Sequence, residues 1–409
     1  MTYTPKLISQ SILICLLSAI FYCYEYFLRV IPSVLTNELM ELHQLSHEGL
    51  GLLSAAFYLT YMLAQIPVGL LMDKYGPRLV LTIACLLCSL GTILFCQMQS
   101  LLVVVIGRAL VGLGSAFAFV GFLKIVASWL PKKFYGFMVG VCMLLGMVGA
   151  VLGQRIIAHG IIETPWEVIV LYSAYVGLAL ALILWLCLRN NPQEHNQQQH
   201  LTNTSTKILA NLITSLSDHK IWILGVIGFF TFLSLAGFAE MWAVPYFEAL
   251  DFSKDEAAKI SAMIFWGFGV GGPLWGIISD YYNSRYIPLA IGSLLTTLVF
   301  AMILGMPSLS STSFKLLAFL LGALSSVEIL IFSAANDLST NEDNATKTSI
   351  VNMVVMIGGI MIQPLAGKII DLFNDHSILS YQAALSPILG SFAGATILSI
   401  YMHLSTRKA

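Results

Sequence analysis

The chain has 409 residues, of which 58% are apolar and only 10% charged, and its formal net charge is −1. A soluble domain carries about 25% charged residues, so this composition excludes a soluble core. The bases are scattered and form no stripe that neutralises a phosphate backbone, which excludes nucleic acid as a partner.

A helix that crosses a bilayer takes about 20 mainly apolar residues. On that criterion the chain divides into twelve predicted spans, at about 8–35, 49–72, 79–97, 100–129, 134–158, 166–189, 219–248, 257–279, 286–306, 313–338, 346–370 and 380–403. The first run, from Leu7 to Leu35, holds Glu25 and Arg29. It is too long for a secretory signal and has no small-residue cleavage site, so it reads as a retained helix. Most connections are too short to fold. The stretch from Asn190 to Asp218 instead contains Asn-Asn-Pro and Gln-Gln-Gln-His and reads as a solvated linker, residues 190–218. Residues 1–189 and 219–409 then hold six predicted spans each, the pattern of an internal duplication. The expected class is an all-α membrane protein with twelve transmembrane helices in two pseudosymmetric six-helix bundles.

Bases mark one side: Lys6, Lys74, Arg78, Lys132, Lys133, Arg189, Lys207, Lys220, Arg285, Lys347, Arg407 and Lys408. The positive-inside rule makes that side cytoplasmic, with both termini and the linker. The other side has Arg155, Lys254, Lys259, Lys315 and Lys368, and its first loop carries Glu38, Glu41 and Glu48. The seven cysteines lie in apolar segments and read as small hydrophobes. Cys85 and Cys88 form a C-x-x-C with no second pair or His nearby, so no metal site is expected.

After the second span the chain reads Gly69-Leu-Leu-Met-Asp73-Lys74-Tyr-Gly76-Pro-Arg78, and the skeleton returns after the eighth as Gly276, Asp280 and Arg285. Glycine permits close helix approach, and an aspartate there can pair with a base or face a helix N-terminus. The repeated motif resembles the signature loop of the major facilitator superfamily. The resemblance covers the whole chain and implies a gate that holds the cytoplasmic entrance shut in one state. The alternative is a charged topology anchor. In the fourth span, Gly107-Arg108-Ala-Leu-Val-Gly112-Leu-Gly114-Ser115 resembles a second motif of that family, which implies proton coupling through the arginine. The fifth span holds Gly136, Gly140, Gly146, Gly149 and Gly153 but lacks the Gly-Pro pair of many drug antiporters of the superfamily, which favours uptake. In that fold the fifth and eighth helices, and the second and eleventh, meet across the halves. The glycines Gly267, Gly269, Gly271, Gly272, Gly358, Gly359 and Gly367 fall on two of those helices.

Away from the span ends the charged residues are Glu25, Arg29, Arg108, Lys124, Glu240 and Glu328, in spans one, four, seven and ten. By resemblance these helices line the central cavity. Facing lipid, each charge costs about 2.5–3.5 kcal/mol, so all six are expected to face water or one another, and three acids with three bases allow complete pairing. Tyr22, Glu25, Tyr26 and Arg29 are spaced along one face of the first helix. Together they are the expected substrate or proton site, with Glu25, Glu240 and Glu328 as proton carriers and the bases as anion anchors. The alternatives are a locked Glu25–Arg29 pair, a role for Glu240 as a cap or salt-bridge partner, and a Lys124 that snorkels to the interface. Gln65, Gln154, Asn352, Gln363, Tyr58, Tyr61 and Trp266 are further candidates to complete the site.

No H-E-x-x-H, G-x-S-x-G or nucleotide-binding G-x-x-x-x-G-K-[ST] is present, so neither an enzyme nor an ATP-driven pump is expected. The expected activity is alternating access, powered by a proton gradient with no cofactor, in a monomer whose partners are a small solute and membrane lipid. Mixed charge suits a zwitterionic or carboxylate-bearing solute. The segment Tyr24-Glu25-Tyr26-Phe-Leu-Arg29-Val-Ile-Pro32-Ser also resembles the phagosomal nutrient transporters of intracellular bacteria. That resemblance implies import of amino acids or nucleosides across a bacterial inner membrane, and the mixed charge also suits short peptides. The rivals are export of an organic acid or metal chelator, and a non-transporting sensor on the same fold.

Overall fold

A computed structural model of the chain describes residues 5–96, 100–130, 135–190, 214–339, 344–373 and 377–406. Most of the predicted linker lies outside the described residues, as do Lys132, Lys133, Lys207, Arg407 and Lys408 and the side chains of Lys6 and Asp73.

Backbone groups in hydrocarbon must bond within their own segment, which leaves the helix as the available form for these spans. Eleven helices among the described residues are long and apolar enough to cross a membrane. The other span is the first part of the helix His47–Phe95, which breaks at Gly76 (φ 76°, ψ 157°) before its second part crosses back as the third span. The fourth to sixth spans are Leu101–Trp129, Tyr135–Gly160 and Trp166–Cys187. The seventh and eighth are His219–Glu248 and Lys254–Tyr281, the ninth and tenth Tyr286–Gly305 and Ser311–Asp337, the last two Asn344–Phe373 and Ile378–Thr406. This is the twelve-helix arrangement expected, in two six-helix bundles. Odd-numbered spans run away from the linker end of the molecule and even-numbered spans return to it.

Pro32 and Pro245 shape the two helices that open the halves. Proline has no N–H for the carbonyl four residues back. The first span is accordingly a helix Pro5–Arg29, a break at Val30 and a short helix Ile31–Val34. The connection that follows was expected to be too short to fold, yet Thr36–His43 is helical.

The halves meet through the expected helix pairs. A Cβ on Gly51 of the second span would lie 2.4 Å from the Gln363 carbonyl oxygen of the eleventh, and one on Gly367 would lie 2.1 Å from that of His47. Only glycine permits such backbone contact. At the far end, opposite the linker, charged side chains continue the seam. Lys254 Nζ lies 2.6 Å from Glu38, and Arg155 4.0 Å from Asp255. Asp371 accepts from the backbone N–H groups of His47 (3.1 Å) and Glu48 (2.8 Å), and His47 Nδ1 is 2.8 Å from the same carboxylate. A carboxylate of one half thus caps the helix N-terminus of the other, where orphan N–H groups favour negative charge. Among the described residues, cross-half ion pairs occur at this end and at mid-membrane, and none occurs at the linker end.

Candidate functional site

The helical spacing of the first span delivers what it predicts. Arg29 Nη2 donates to both oxygens of Glu25, at 3.1 and 3.2 Å, one turn back on the same face. The Arg29 guanidinium also lies over three rings, 4.2 Å from the centre of Tyr26, 5.0 Å from Phe57 and 5.4 Å from Tyr61. Tyr22 packs edge-on against Tyr26 at 5.1 Å, and its hydroxyl meets the Met143 sulfur at 3.6 Å.

Arg29 also faces Glu240 of the seventh span across the two halves, Nη1 to Oε1 at 3.6 Å. The Tyr58 hydroxyl, on the second span, donates to the other oxygen of Glu240. Glu25, Arg29, Arg108 and Glu240 are all buried, none more than 3% exposed. Four of the six predicted charges are therefore brought into one cluster. Its two acids and two bases balance, as charges held away from water must.

Arg108 reaches the cluster differently from expectation. Pro32 leaves the Leu28 carbonyl without its helical partner, and Arg108 supplies one. Its Nη1 donates to Leu28 O at 3.1 Å and its Nη2 to Arg29 O at 3.4 Å. A proline four residues after Leu28 was the signal for a donor from another helix. The Nε atoms of Arg29 and Arg108 and Oε1 of Glu240 are buried with no hydrogen-bond partner among the described residues. Buried polar atoms are normally paired, so the cluster keeps two donors and an acceptor for something else.

Glu240 stands on an unusual segment. Over Ser234–Trp242 the helix widens into π-type turns, and the Ala243 N–H bonds to Phe238 O five residues back. Such turns are rare and concentrate at functional sites. Gln154 of the fifth span donates to Ala239 O at 3.0 Å and to Ser33 Oγ at 3.3 Å. The side-chain amide of Gln363, in the eleventh span, donates to Ala236 O at 2.8 Å, and the backbone carbonyl of Gln363 accepts from Trp242 Nε1 at 3.1 Å. Two amides expected to line a solute site thus hold backbone instead.

Complete pairing of the six charges does not occur. Glu328 lies in a tight turn, Ser326–Ile329, that interrupts the tenth span. It is 5% exposed, its Oε2 has no hydrogen-bond partner, and it forms no ion pair among the described residues. Ser325 and Ser326 bond back to their own helix, to Gly322 O and Ala323 O. Lys124 does not answer it. Sixteen residues along a helix of about 3.6 per turn aim Lys124 away from Arg108, and it donates to Met72 O at 3.1 Å near the linker end.

The repeated motif lies at that end. Gly76 is required: its φ of 76° is left-handed, and a Cβ would lie 2.5 Å from the Asn190 side chain. Asn190 accepts from Arg78 N at 3.1 Å, while the Arg78 side chain donates to Trp185 O at 2.8 Å and covers the Trp185 ring at 4.4 Å. Lys74 lies over Tyr75 at 5.0 Å. In the second half Arg285 joins Asp280 (2.6 Å) to Asp337 (2.9 Å). These contacts stay within their halves. Gly69 and Gly276 were expected to allow close approach, but a Cβ on either meets nothing within 4 Å.

The comparisons agree with this architecture. A bacterial homolog of the human lysosomal transporter Spinster, solved in an inward-facing, unoccupied conformation, superposes with a TM-score of 0.77 at 15% identity, covering 97% of each chain. In sequence the chain is 25% identical over 289 residues to "Probable sulfoacetate transporter SauU" of Cupriavidus necator, 67% of each protein. It is 26% identical over 313 residues to "Probable galactarate/D-glucarate transporter GudP" of Escherichia coli K12, covering 69% of this chain and 68% of that protein. The family profile matches residues 14–362 and, again, 241–407. Twelve spans in two bundles, a twice-used loop motif and this match make the chain a member of the Major Facilitator Superfamily.

Proposed function

We propose that the chain is a proton-coupled importer of a small organic anion, carrying its solute through the cluster around Arg29. The observation that carries this reading is the pair of buried guanidinium groups, Arg29 and Arg108, each with an unpartnered Nε–H, beside an acid held at only 3.6 Å. Planar donors of that kind match carboxylate and sulfonate oxygens.

Charge balance supplies the coupling. The cluster is neutral, and an added anion leaves an uncompensated buried charge, which is strongly unfavourable. A proton on Glu240 removes that difficulty, because a neutral Glu240 releases Arg29 and the anion takes its place. Solute and proton then travel together, and Glu328, buried with no ion pair among the described residues, is a second carrier. The names of the relatives, a sulfoacetate and a galactarate/D-glucarate transporter, support an anion over the amino acids, peptides or nucleosides first expected.

The same reading assigns the linker end to the cytoplasm. The bases of that end support it, and with the contacts between halves among the described residues lying at mid-membrane and the far end, the conformation is inward-facing. The protein acts as a monomer in a bacterial inner membrane.

Uptake of radiolabelled sulfoacetate and D-glucarate into proteoliposomes tests the proposal. Acid outside should drive accumulation of an anion, and Glu240→Gln should abolish that accumulation while leaving exchange at equal pH. Accumulation indifferent to the pH gradient, or unchanged in Glu240→Gln and Glu328→Gln, overturns the coupling.

A further inference from the structure

The wide-turn stretch Ser234–Trp242 is gripped from both sides by side-chain amides. Gln363 Nε2 holds the Ala236 carbonyl at 2.8 Å and Gln154 Nε2 that of Ala239 at 3.0 Å, one residue before Glu240. The Trp242 indole, donating to the backbone carbonyl of Gln363 at 3.1 Å, fixes the end of the stretch. Both glutamines are fully buried or nearly so, and neither side-chain oxygen has a hydrogen-bond partner among the described residues. Their side-chain N–H groups therefore orient them, through bonds to the stretch and, for Gln154, also to Ser33.

The two clamps differ in origin. Gln363 belongs to the same half as the stretch, whereas Gln154 comes from the fifth span of the other half. Gln154 also bonds Ser33 at the break of the first span, so one amide joins the two interrupted helices that carry Arg29 and Glu240. A π-turn holds one more residue per turn than an α-turn, and its return to α-geometry rotates every side chain beyond it. Whatever fixes the turn fixes the direction of Glu240.

We propose that Gln154 is a positioning residue that ties the register of the Ser234–Trp242 stretch, and with it the placement of Glu240 against Arg29, to contact between the halves. When the halves part, the amide leaves Ala239, whose carbonyl keeps only the longer bond from Ser261 Oγ of its own half at 3.5 Å, while Gln363 keeps its grip on Ala236. Beside the direct contacts of Arg29 and Tyr58 with Glu240, this adds a second link, through a hydrogen bond to backbone. This rests on the reading of Glu240 as the coupling acid only for its functional meaning, because the mechanical claim is measurable without a solute.

The test uses the purified full chain in lipid nanodiscs, with no solute added, and the variants Gln154→Leu and Gln363→Leu. Hydrogen exchange of the amides of residues 234–245 reports the stretch. The infrared carboxyl band of Glu240, identified by its loss in Glu240→Gln, reports the acid. Gln154→Leu should speed exchange there by about two- to tenfold, the range one hydrogen bond corresponds to, and displace the Glu240 band. Gln154→Asn, which keeps an amide, should restore part of both effects. Crosslinking the far end closed should slow exchange in the wild type and leave Gln154→Leu unchanged. Wild-type exchange and an unmoved band in Gln154→Leu overturn the proposal. So does an equal response of Gln154→Leu to the crosslink, because the clamp would then not depend on Gln154. Failure of proton-driven uptake with these signals present overturns the transport reading instead.

Discussion

Arg108 donates to the carbonyl of Leu28 across 3.1 Å, filling the gap that Pro32 leaves in the first span. A residue matched by resemblance to a proton-coupling motif is thus also the cap of a broken helix, and its replacement has two separable effects. Arg108→Leu leaves two buried carbonyls without a partner and should lower the stability of the detergent-purified protein by about 1–3 kcal/mol. Arg108→Lys keeps the charge but not the fork, so it should recover part of the melting temperature and little of the transport. Melting and uptake measured on the same preparations check both expectations.

The Tyr58–Glu240 contact joins the second span to the seventh. Tyr58→Phe removes the donor without changing the shape, so transport driven by a pH gradient should fall by about two- to tenfold, with folding intact. Arg29→Lys should lose more, since the guanidinium serves Glu25, Glu240 and three rings at once. Initial uptake rates at fixed pH distinguish the two.

At the far end, Lys254 and Glu38 pair across the halves at 2.6 Å while each keeps some contact with solvent. Pairs of this kind contribute about 0.2–1 kcal/mol. Glu38→Lys and Lys254→Glu should each favour the open far end, and the exchanged double variant should return toward wild type. The readout is maleimide labelling of a cysteine placed in the far-end seam. Labelling of the double variant equal to the sum of the single changes contradicts a direct coupling.

The two glycines of the first motif should behave oppositely. Gly76→Ala places a Cβ against Asn190 at a left-handed φ and should destabilise the protein by about 1 kcal/mol or more. Gly69→Ala meets open space in this conformation and should leave melting unchanged. If the linker end closes on that face during transport, Gly69→Ala should still slow turnover, as measured by uptake against melting temperature.

Much of this architecture was legible in the chain, because a bilayer enforces simple rules. Long apolar runs gave the spans, and spacing by three and four put Glu25 and Arg29 on one face. The motif repeat is more regular than the residues suggest. Seven positions after Gly69 stands Gly76, and seven after Gly276 stands Asn283, also left-handed at φ 45°; asparagine tolerates that geometry. What was not legible depends on three-dimensional neighbours. Nothing local to Gln154 or Gln363 says that their amides grip a π-turn, and nothing local to Glu328 says that it finds no ion pair among the described residues. The far-end pairs left a weak trace: an acidic first loop facing bases in the other half.

Asp371 occupies the N-terminus of the second span, accepting from the amides of His47 and Glu48. Any motion that separates the halves there must strip those two amides of their carboxylate and leave the positive pole of a long helix bare at the mouth. The far-end seal and, on the proposed reading, the lure for an arriving anion would then be one piece of backbone, used in alternation.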